Sequence, residues 1–202
     1  MKYQLRATWL VALLCALGIM LSACGGPYEW KGGAVNPPAT APDFTLTTSD
    51  GQPWTLSQQR GKVVALFFGY TYCPDVCPTT LSDLSKVSKQ LGGDADNFEV
   101  AFVTVDPERD TPERMQKYVK GFNTAFVGLT GTQEELQKVY KAYGVYVEKQ
   151  DMPNSALKYT VNHTGLIYTV DPAGKMKVLF RPDMTVDDMV SDTRQLFAQG
   201  AA

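Results

Sequence analysis

The stretch VVALFFGY, residues Val63–Tyr70, is a continuous apolar and aromatic run. Such a run is typical of a strand that is buried on both faces, as in the middle of a sheet covered by helices. It leads into CPDVCP, residues 73–78, and then into a helical segment, Thr79–Leu91, for which Pro78 suits the first position. The sequence therefore predicts a cysteine pair at the C-terminal end of a buried strand, where a helix begins.

Strand-like and helix-like segments alternate along the rest of the chain. We predict further strands at Phe98–Val105, Ala125–Leu129, Gly165–Val170 and Met176–Phe180, and further helices at residues 110–122, Thr132–Tyr143 and Val186–Ala198. Strands separated by helices indicate an α/β sheet with right-handed crossovers. Residues Asp43–Leu56, with the turn signal Asp50-Gly51, predict an added N-terminal β-hairpin. The cysteine position and the closing hairpin plus helix together favour a thioredoxin-like fold.

The composition narrows the kinds of site that the chain can build. Its 202 residues are 44% hydrophobic, which is enough for one domain with a sizeable core. The 19 Lys and Arg against 21 Asp and Glu give a net charge of −2, so no electrostatic footprint for nucleic acid is present and no such partner is predicted. One histidine excludes a zinc site with three histidines. The chemistry must use the four cysteines, that histidine or carboxylates.

The N-terminus has the pattern of an export signal. Lys2 and Arg6 precede the uncharged apolar run Ala7–Ala23, which is typical of a secretory leader, although an uncleaved membrane anchor is the alternative. Residues 21–25, LSACG, resemble the lipobox of bacterial lipoproteins. That resemblance implies that residues 1–23 are a lipoprotein signal peptide, which would remove Cys15, and that Cys24 carries the lipid.

This leader defines the predicted organisation of the chain. After residues 1–23 we expect a lipid-anchored flexible tether over residues 24–41, since Gly25–Ala41 is rich in Gly, Pro and Ala and has no apolar periodicity. The thioredoxin-like domain is then predicted over residues 42–200. The chain would be exported and lipid-anchored to a bacterial membrane, with its domain on the extracytoplasmic side, periplasmic or outer. That compartment permits disulfides.

Cys73 and Cys77 are the candidate working cysteines. Placed at i and i+4 around a helix start, they can aim both sulfurs into one cleft, where the helix N-terminus stabilises thiolate. Thiolates are soft donors that prefer Cu(I) and also bind Cu(II) or zinc. A structural disulfide is the alternative, although the flanking prolines and the small ring count against it. His163 occupies the loop that faces the cysteine loop in thioredoxins, which makes it the candidate third ligand.

Three linked motifs extend this picture. Residues 69–78 (GYTYCPDVCP), residues 105–112 (VDPERDTP), and residues 161–163 (VNH) before 171–174 (DPAG) closely resemble the Sco/SenC family. The resemblance covers about residues 42–196. It implies a thioredoxin-fold, membrane-anchored copper protein that helps assemble the CuA centre of cytochrome c oxidase. It also implies copper, as Cu(I) or Cu(II), on Cys73, Cys77 and His163, and implies as partners the CuA-bearing oxidase subunit and other copper carriers.

The chain departs from this family at two positions. Relatives often have His where this chain has Tyr72, and Asp where it has Asn162. Neither residue is needed as a primary ligand, but the change at Asn162 predicts altered partner docking or altered orientation of His163.

Several polar residues near these motifs are predicted to have structural roles. Asp75 and Asp106 could supply charge outside the ligand set, but we interpret them as a loop carboxylate and a turn former. Asp110 and Thr111 are predicted to cap the helix that follows them.

Other functions fit the cysteine pair less well. In a thiol–disulfide oxidoreductase that keeps the CuA cysteines reduced, Cys73 would be the nucleophile and Cys77 the resolving thiol. The three intervening residues, instead of the usual two, weaken this hypothesis but leave it open. A peroxiredoxin is disfavoured because Leu66 and Tyr70 stand where that family has Pro and Thr. No papain-like sequence surrounds Cys73, which disfavours a Cys–His protease.

Overall fold

The structure is a computed structural model that describes residues 28–200. The predicted signal peptide (residues 1–23) and the predicted lipidation site Cys24 lie outside the described residues, and both stay predictions. Among residues 28–200, no helix is both long enough and apolar enough to span a bilayer.

Ten strands and four α-helices succeed one another through the described part of the chain. The strands are β1 (Gly33–Thr40), β2 (Thr45–Thr48), β3 (Pro53–Thr55), β4 (Val63–Gly69), β5 (Phe98–Thr104), β6 (Val127–Thr130), β7 (Val147–Met152), β8 (Lys158–His163), β9 (Ile167–Val170) and β10 (Lys175–Phe180). The helices are α1 (Val76–Leu91), α2 (Pro112–Lys120), α3 (Gln133–Tyr143) and α4 (Val186–Gly200). Short 3₁₀ helices lie at Leu56–Gln59 and Gly92–Asn97.

Eight of the strands form one mixed sheet in the order β1-β10-β9-β4-β5-β6-β2-β3. Strands β4, β5 and β6 run parallel, and β9 pairs with β4 in the antiparallel direction. Strands β2 and β3 are the predicted N-terminal hairpin, which joins the sheet through β6. Strands β7 and β8 form a separate antiparallel pair. The predicted α/β, thioredoxin-like architecture is confirmed.

Strand β4 is the centre of the hydrophobic core. All seven of its residues are buried, and Phe67 and Phe68 have no accessible surface. It pairs with β5 on one side and β9 on the other, so neither edge is open. The apolar run therefore forms the buried strand that the sequence predicts, and its C-terminal end delivers the chain directly to the cysteine loop.

The prediction of a flexible tether over residues 24–41 is wrong for Gly33–Thr40, which form β1. This edge strand pairs with β10, with Gly33 opposite Leu179 and Thr40 opposite Lys175. The preceding segment is held by the fully buried carboxylate of Asp192 on α4, which accepts hydrogen bonds from the Tyr28 hydroxyl and from the backbone N–H groups of residues 31 and 32. Backbone pairing and one distant carboxylate order this segment, and neither requires apolar periodicity.

Two further differences concern the surroundings of the candidate site. Helix α1 begins at Val76 and not at Thr79, so Cys77 lies inside its first turn. The β7–β8 hairpin was not predicted, because nearly all of β7 is exposed and its sequence lacks apolar alternation. This hairpin carries His163 as the last residue of β8.

Candidate metal centre

Three different elements supply the candidate ligands. Cys73 lies in the loop after β4, Cys77 lies in the first turn of α1, and His163 ends β8. One ligand atom from each, the two Sγ atoms and an imidazole nitrogen, all lie within 4.8 Å of one another. Cys77 Sγ and His163 Nε2 are 3.7 Å apart. Strand β4, helix α1 and the β7–β8 hairpin thus bring together the three residues that the sequence singles out.

The two cysteines differ sharply in environment. Both are free thiols; Cys73 is partly exposed and Cys77 is completely buried. A hydrogen bond from the Cys77 thiol, with further donors from His163 and from backbone N–H groups at the start of α1, lowers the pKa of Cys73 to about 4. One of these donors is the backbone N–H of Cys77, 3.4 Å from Cys73 Sγ. Hydrogen bonding to Cys73 and burial raise the pKa of Cys77, so Cys73 is the thiolate of the pair.

His163 presents the correct nitrogen to the sulfurs. Its Nδ1 lies 3.1 Å from the backbone carbonyl of Thr164, and since a carbonyl can only accept, Nδ1 carries the proton. Nε2 is therefore the ring nitrogen that faces Cys77 and the one placed to bind a metal ion. The edges of Tyr70 and Phe67 pack against the imidazole, at 5.9 and 6.4 Å between ring centroids.

Arg109 attaches the β7–β8 hairpin to the body of the domain. Its Nη1 donates to the backbone carbonyls of Leu157 and Tyr159, at 3.0 Å each, and its guanidinium stacks over the Tyr159 ring at 3.6 Å. It also pairs with the buried carboxylate of Asp106, which accepts a second hydrogen bond from the Tyr159 hydroxyl at 2.8 Å. These contacts hold the strand that ends in His163, a role that the sequence does not predict for Arg109 or Tyr159.

Only the positions of these residues close to the sequence motifs could have indicated this cluster. Arg109 lies within the VDPERDTP motif, and Tyr159 lies four residues before His163, but the two are 50 positions apart. Asp106 begins the predicted turn, since its carbonyl accepts from the N–H of Arg109 at 3.2 Å, and its side chain is also the buried partner of Arg109.

Asp110 differs from its predicted role, whereas Thr111 agrees with it. Thr111 caps α2 by accepting a hydrogen bond from the N–H of Arg114. Asp110 does not cap the helix: its buried carboxylate accepts from the N–H and hydroxyl of Thr71 and from the hydroxyl of Thr104. Burial raises the pKa of Asp110. This carboxylate ties the start of the cysteine loop to the end of β5. Asp75 occupies the N-cap position of α1 without a capping hydrogen bond from its side chain.

The two positions that depart from the family pattern have separate roles. The ring of Tyr72 lies beneath two guanidinium groups, with Arg114 at 3.9 Å and Arg109 at 4.9 Å from its centroid. Asn162 is exposed and donates to the side chain of Gln150 on β7, at 3.3 Å. Tyr72 therefore forms part of the rim of the site, while the Asn162 side chain serves the pairing of the hairpin.

The donor set suits a soft, exchangeable metal ion. Two sulfurs and one imidazole provide three ligands, whereas structural zinc takes four in a closed tetrahedron. Within residues 28–200, this is the one group of three or more Cys, His, Asp or Glu side chains whose ligand atoms converge. Thiolate pairs favour Cu(I), and adding an imidazole also suits Cu(II).

Comparisons with known proteins agree with this arrangement. The sequence model of the SCO1/SenC family matches residues 33–198. The mouse protein named "Protein SCO1 homolog, mitochondrial" is 38% identical over 144 residues, which are 70% of this chain and 50% of the mouse protein. The structure of Bradyrhizobium japonicum ScoI with copper bound is 39% identical, covers 78% of this chain and 99% of its own, and superimposes with a TM-score of 0.70.

A more distant neighbour supports the fold. BsSco, described as a member of the Sco family of cytochrome c oxidase assembly proteins, is 24% identical, covers 82% of this chain and 97% of its own, and has a TM-score of 0.64. The family match extends from β1 to α4 and includes all three residues of the candidate centre. This chain belongs to the SCO1/SenC family.

Proposed function

We propose that this chain is a membrane-anchored metallochaperone that binds copper through Cys73, Cys77 and His163 and delivers it to the CuA-bearing subunit of cytochrome c oxidase. The observation that carries the proposal is the convergence of two sulfurs and one imidazole nitrogen within 4.8 Å. Copper is the cargo of this site, taken up from other copper carriers and passed on.

The unequal exposure of the ligands suits transfer. Cys77 is buried against the core, so its sulfur is held in place, whereas Cys73 is partly exposed and reaches the surface as a thiolate. A three-coordinate ion leaves one face open, and an acceptor thiolate can enter there before a chaperone ligand leaves. We expect the exchange to begin on the side of Cys73.

The membrane part of the proposal rests on the predicted leader. A lipid on Cys24 would leave residues 25–27 before Tyr28, the first described residue, which Asp192 holds. The domain would then be confined near the bilayer that also contains the oxidase.

Copper binding by site variants tests the ligand set. The purified chain should bind close to one copper ion, with a sulfur-to-Cu(II) charge-transfer band that Cys73→Ser and Cys77→Ser abolish and that His163→Ala weakens together with the affinity. Met152→Leu is the matched control, since this exposed thioether lies at the opposite end of the hairpin from His163. An unchanged copper affinity in His163→Ala would contradict the three-ligand site.

A second function, thiol–disulfide oxidoreductase, is favoured by the same unequal pair. A low-pKa thiolate beside a buried thiol is the arrangement of a nucleophilic and a resolving cysteine. Metallation of a copper-free CuA domain whose cysteines are already reduced separates the two functions. Delivery predicts that the copper-loaded chain fills this domain. If the loaded chain transfers nothing to the reduced domain, and the reduced, copper-free chain makes an oxidised CuA domain able to take up free copper, the oxidoreductase function is correct.

A further inference from the structure

A surface pocket lies beside the candidate metal centre, between the cysteine loop and α2. It has a volume of about 420 Å³ and is lined by Thr71, Arg114, Lys117, Tyr118, Gly121 and Phe122. The aromatic rings of Tyr118 and Phe122 contact edge to face, with centroids 5.3 Å apart, and give the pocket an apolar wall. The site described above does not use this pocket.

Two cations border the pocket without a carboxylate partner. Arg114 and Lys117 are three residues apart on α2, so both lie on the same face of the helix. Neither takes part in an ion pair with any residue between 28 and 200. Arg114 donates from Nε to the Thr71 hydroxyl at 2.9 Å, which leaves its two terminal nitrogens for another acceptor. The titratable residues that line the pocket are these two cations and Tyr118, so no carboxylate lines it.

The pocket and the metal centre share structural residues. Arg114 stacks on Tyr72, the residue before Cys73, and bonds to Thr71, whose N–H and hydroxyl are fixed by Asp110. A molecule seated in the pocket would thus lie against the partly exposed side of the site, where transfer is expected to begin.

We propose that this pocket is a docking site for an acidic segment of the protein that exchanges copper with this chain, with a carboxylate between Arg114 and Lys117 and a neighbouring apolar side chain against Tyr118 and Phe122. The occupant follows from charge complementarity: two unpaired cations select an anion, and the apolar wall selects a side chain over a bare ion. This proposal rests on the proposed function, because it takes the CuA-bearing subunit as the partner that carries the segment.

Binding measurements with charge-reversal variants test the docking site. The full chain, held in nanodiscs, is titrated with the soluble CuA domain at low ionic strength. We expect Arg114→Glu and Lys117→Glu each to weaken binding about tenfold, and the loss to shrink in 0.5 M salt because the attraction is screened. Lys141→Glu is the matched control, since Lys141 is an exposed cation in the last turn of α3 as Lys117 is in the last turn of α2. This control should bind within about twofold of the unmodified chain.

The outcomes separate docking from delivery. The copper spectrum of Lys117→Glu should match that of the unmodified chain, which would separate lost docking from a damaged metal centre. Binding by both variants at the level of the Lys141→Glu control would overturn the docking site, as would a complete lack of binding by the unmodified chain. If the unmodified chain binds through the pocket but passes no copper, docking stands and the delivery function fails.

Discussion

Arg109 is expected to be the residue outside the ligand set on which the site depends most. Arg109→Gln removes its ion pair with Asp106, its two bonds to the carbonyls of Leu157 and Tyr159, and its stacking on the Tyr159 ring. The Asp106 carboxylate, only 2% exposed, then loses its cationic partner. The hairpin that ends in His163 loses its main attachment to the loop after β5.

The size of the effect follows from this burial. Breaking a buried ion pair costs about 3–5 kcal/mol because it leaves an uncompensated charge. We expect a value near the lower limit, since Arg109 keeps 15% of its side chain exposed and its own Nη2 has no partner. A loss of about 3 kcal/mol would lower the urea midpoint by roughly 1.5 M for a domain of this size.

Urea unfolding followed by circular dichroism measures the stability, and copper binding measures the position of His163. Residues that orient a metal ligand change affinity by about 10–100-fold, so Arg109→Gln should weaken copper binding at least tenfold and alter the Cu(II) charge-transfer band. Arg114→Gln is the control, because it also removes an arginine stacked on Tyr72. Arg114 is exposed and has no ion pair within residues 28–200, so this variant should lower the free energy of unfolding by less than about 1 kcal/mol.

A double variant isolates the unpaired charge. Adding Asp106→Asn to Arg109→Gln removes the stranded carboxylate, so the double variant should be at least about 1 kcal/mol more stable than the sum of the single losses predicts. The reasoning is refuted if Arg109→Gln costs no more stability than Arg114→Gln and leaves the copper spectrum unchanged.

Three further changes probe other parts of the structure. Because the pKa of Cys73 is lowered to about 4, its thiolate persists above that pH and is lost below it. The alkylation rate of the copper-free chain should therefore be nearly constant from pH 5 to 8, and a tenfold rise per pH unit would contradict this. Alkylation should stop at one modification, because the pKa of Cys77 is raised. Gly69→Ala places a Cβ 2.8 Å from Cys77 Sγ, so it should lower the free energy of unfolding by about 1–3 kcal/mol and shift the copper spectrum. A Cβ at Gly93 meets nothing within 4 Å, so the control Gly93→Ala should change neither quantity. Asp192→Ala should release the segment before β1. Trypsin should then cut this segment at least tenfold faster while the core stays resistant. An unchanged cleavage rate would show that the pairing of β1 alone holds the segment.

The buried centre of the fold could be predicted from local sequence, because burial leaves a local pattern. Val63–Gly69 is apolar at every position since helices and strands cover it on all sides. The exposed edge strands leave no such pattern in the sequence. Strand β1 is mostly exposed and contains two prolines, and it is ordered by pairing with β10 and by Asp192, which lies about 160 positions later. The exposed strand β7 was missed for the same reason.

The candidate ligands could be predicted, but the residues that hold them could not. Cysteine and histidine are rare in this chain, so their chemistry is visible in the sequence alone. An arginine or a tyrosine does not mark a site by its residue type, and the role of Arg109 depends on contacts with backbone carbonyls 48 and 50 positions away. Asp110 shows the converse error: its position before a helix suggested a cap, yet its carboxylate turns inward to Thr71 and Thr104.

The three ligands are supported to different degrees, and this difference suits a site that must release its metal. Cys77 belongs to a helix packed on the core and has no exposed surface. Cys73 lies in a loop fastened through Thr71 to Asp110, partly open to an incoming partner. His163 ends a hairpin that is attached to the domain through Arg109 and through the Tyr70 hydroxyl, which bonds to Thr160. Because a ligand outside the core can leave without disturbing it, we expect His163 to be the first ligand to leave, after an acceptor thiolate has entered on the side of Cys73, and Cys77 to be the last. The Arg109→Gln variant removes contacts that hold this hairpin, so it should release copper to an acceptor faster than the unmodified chain does.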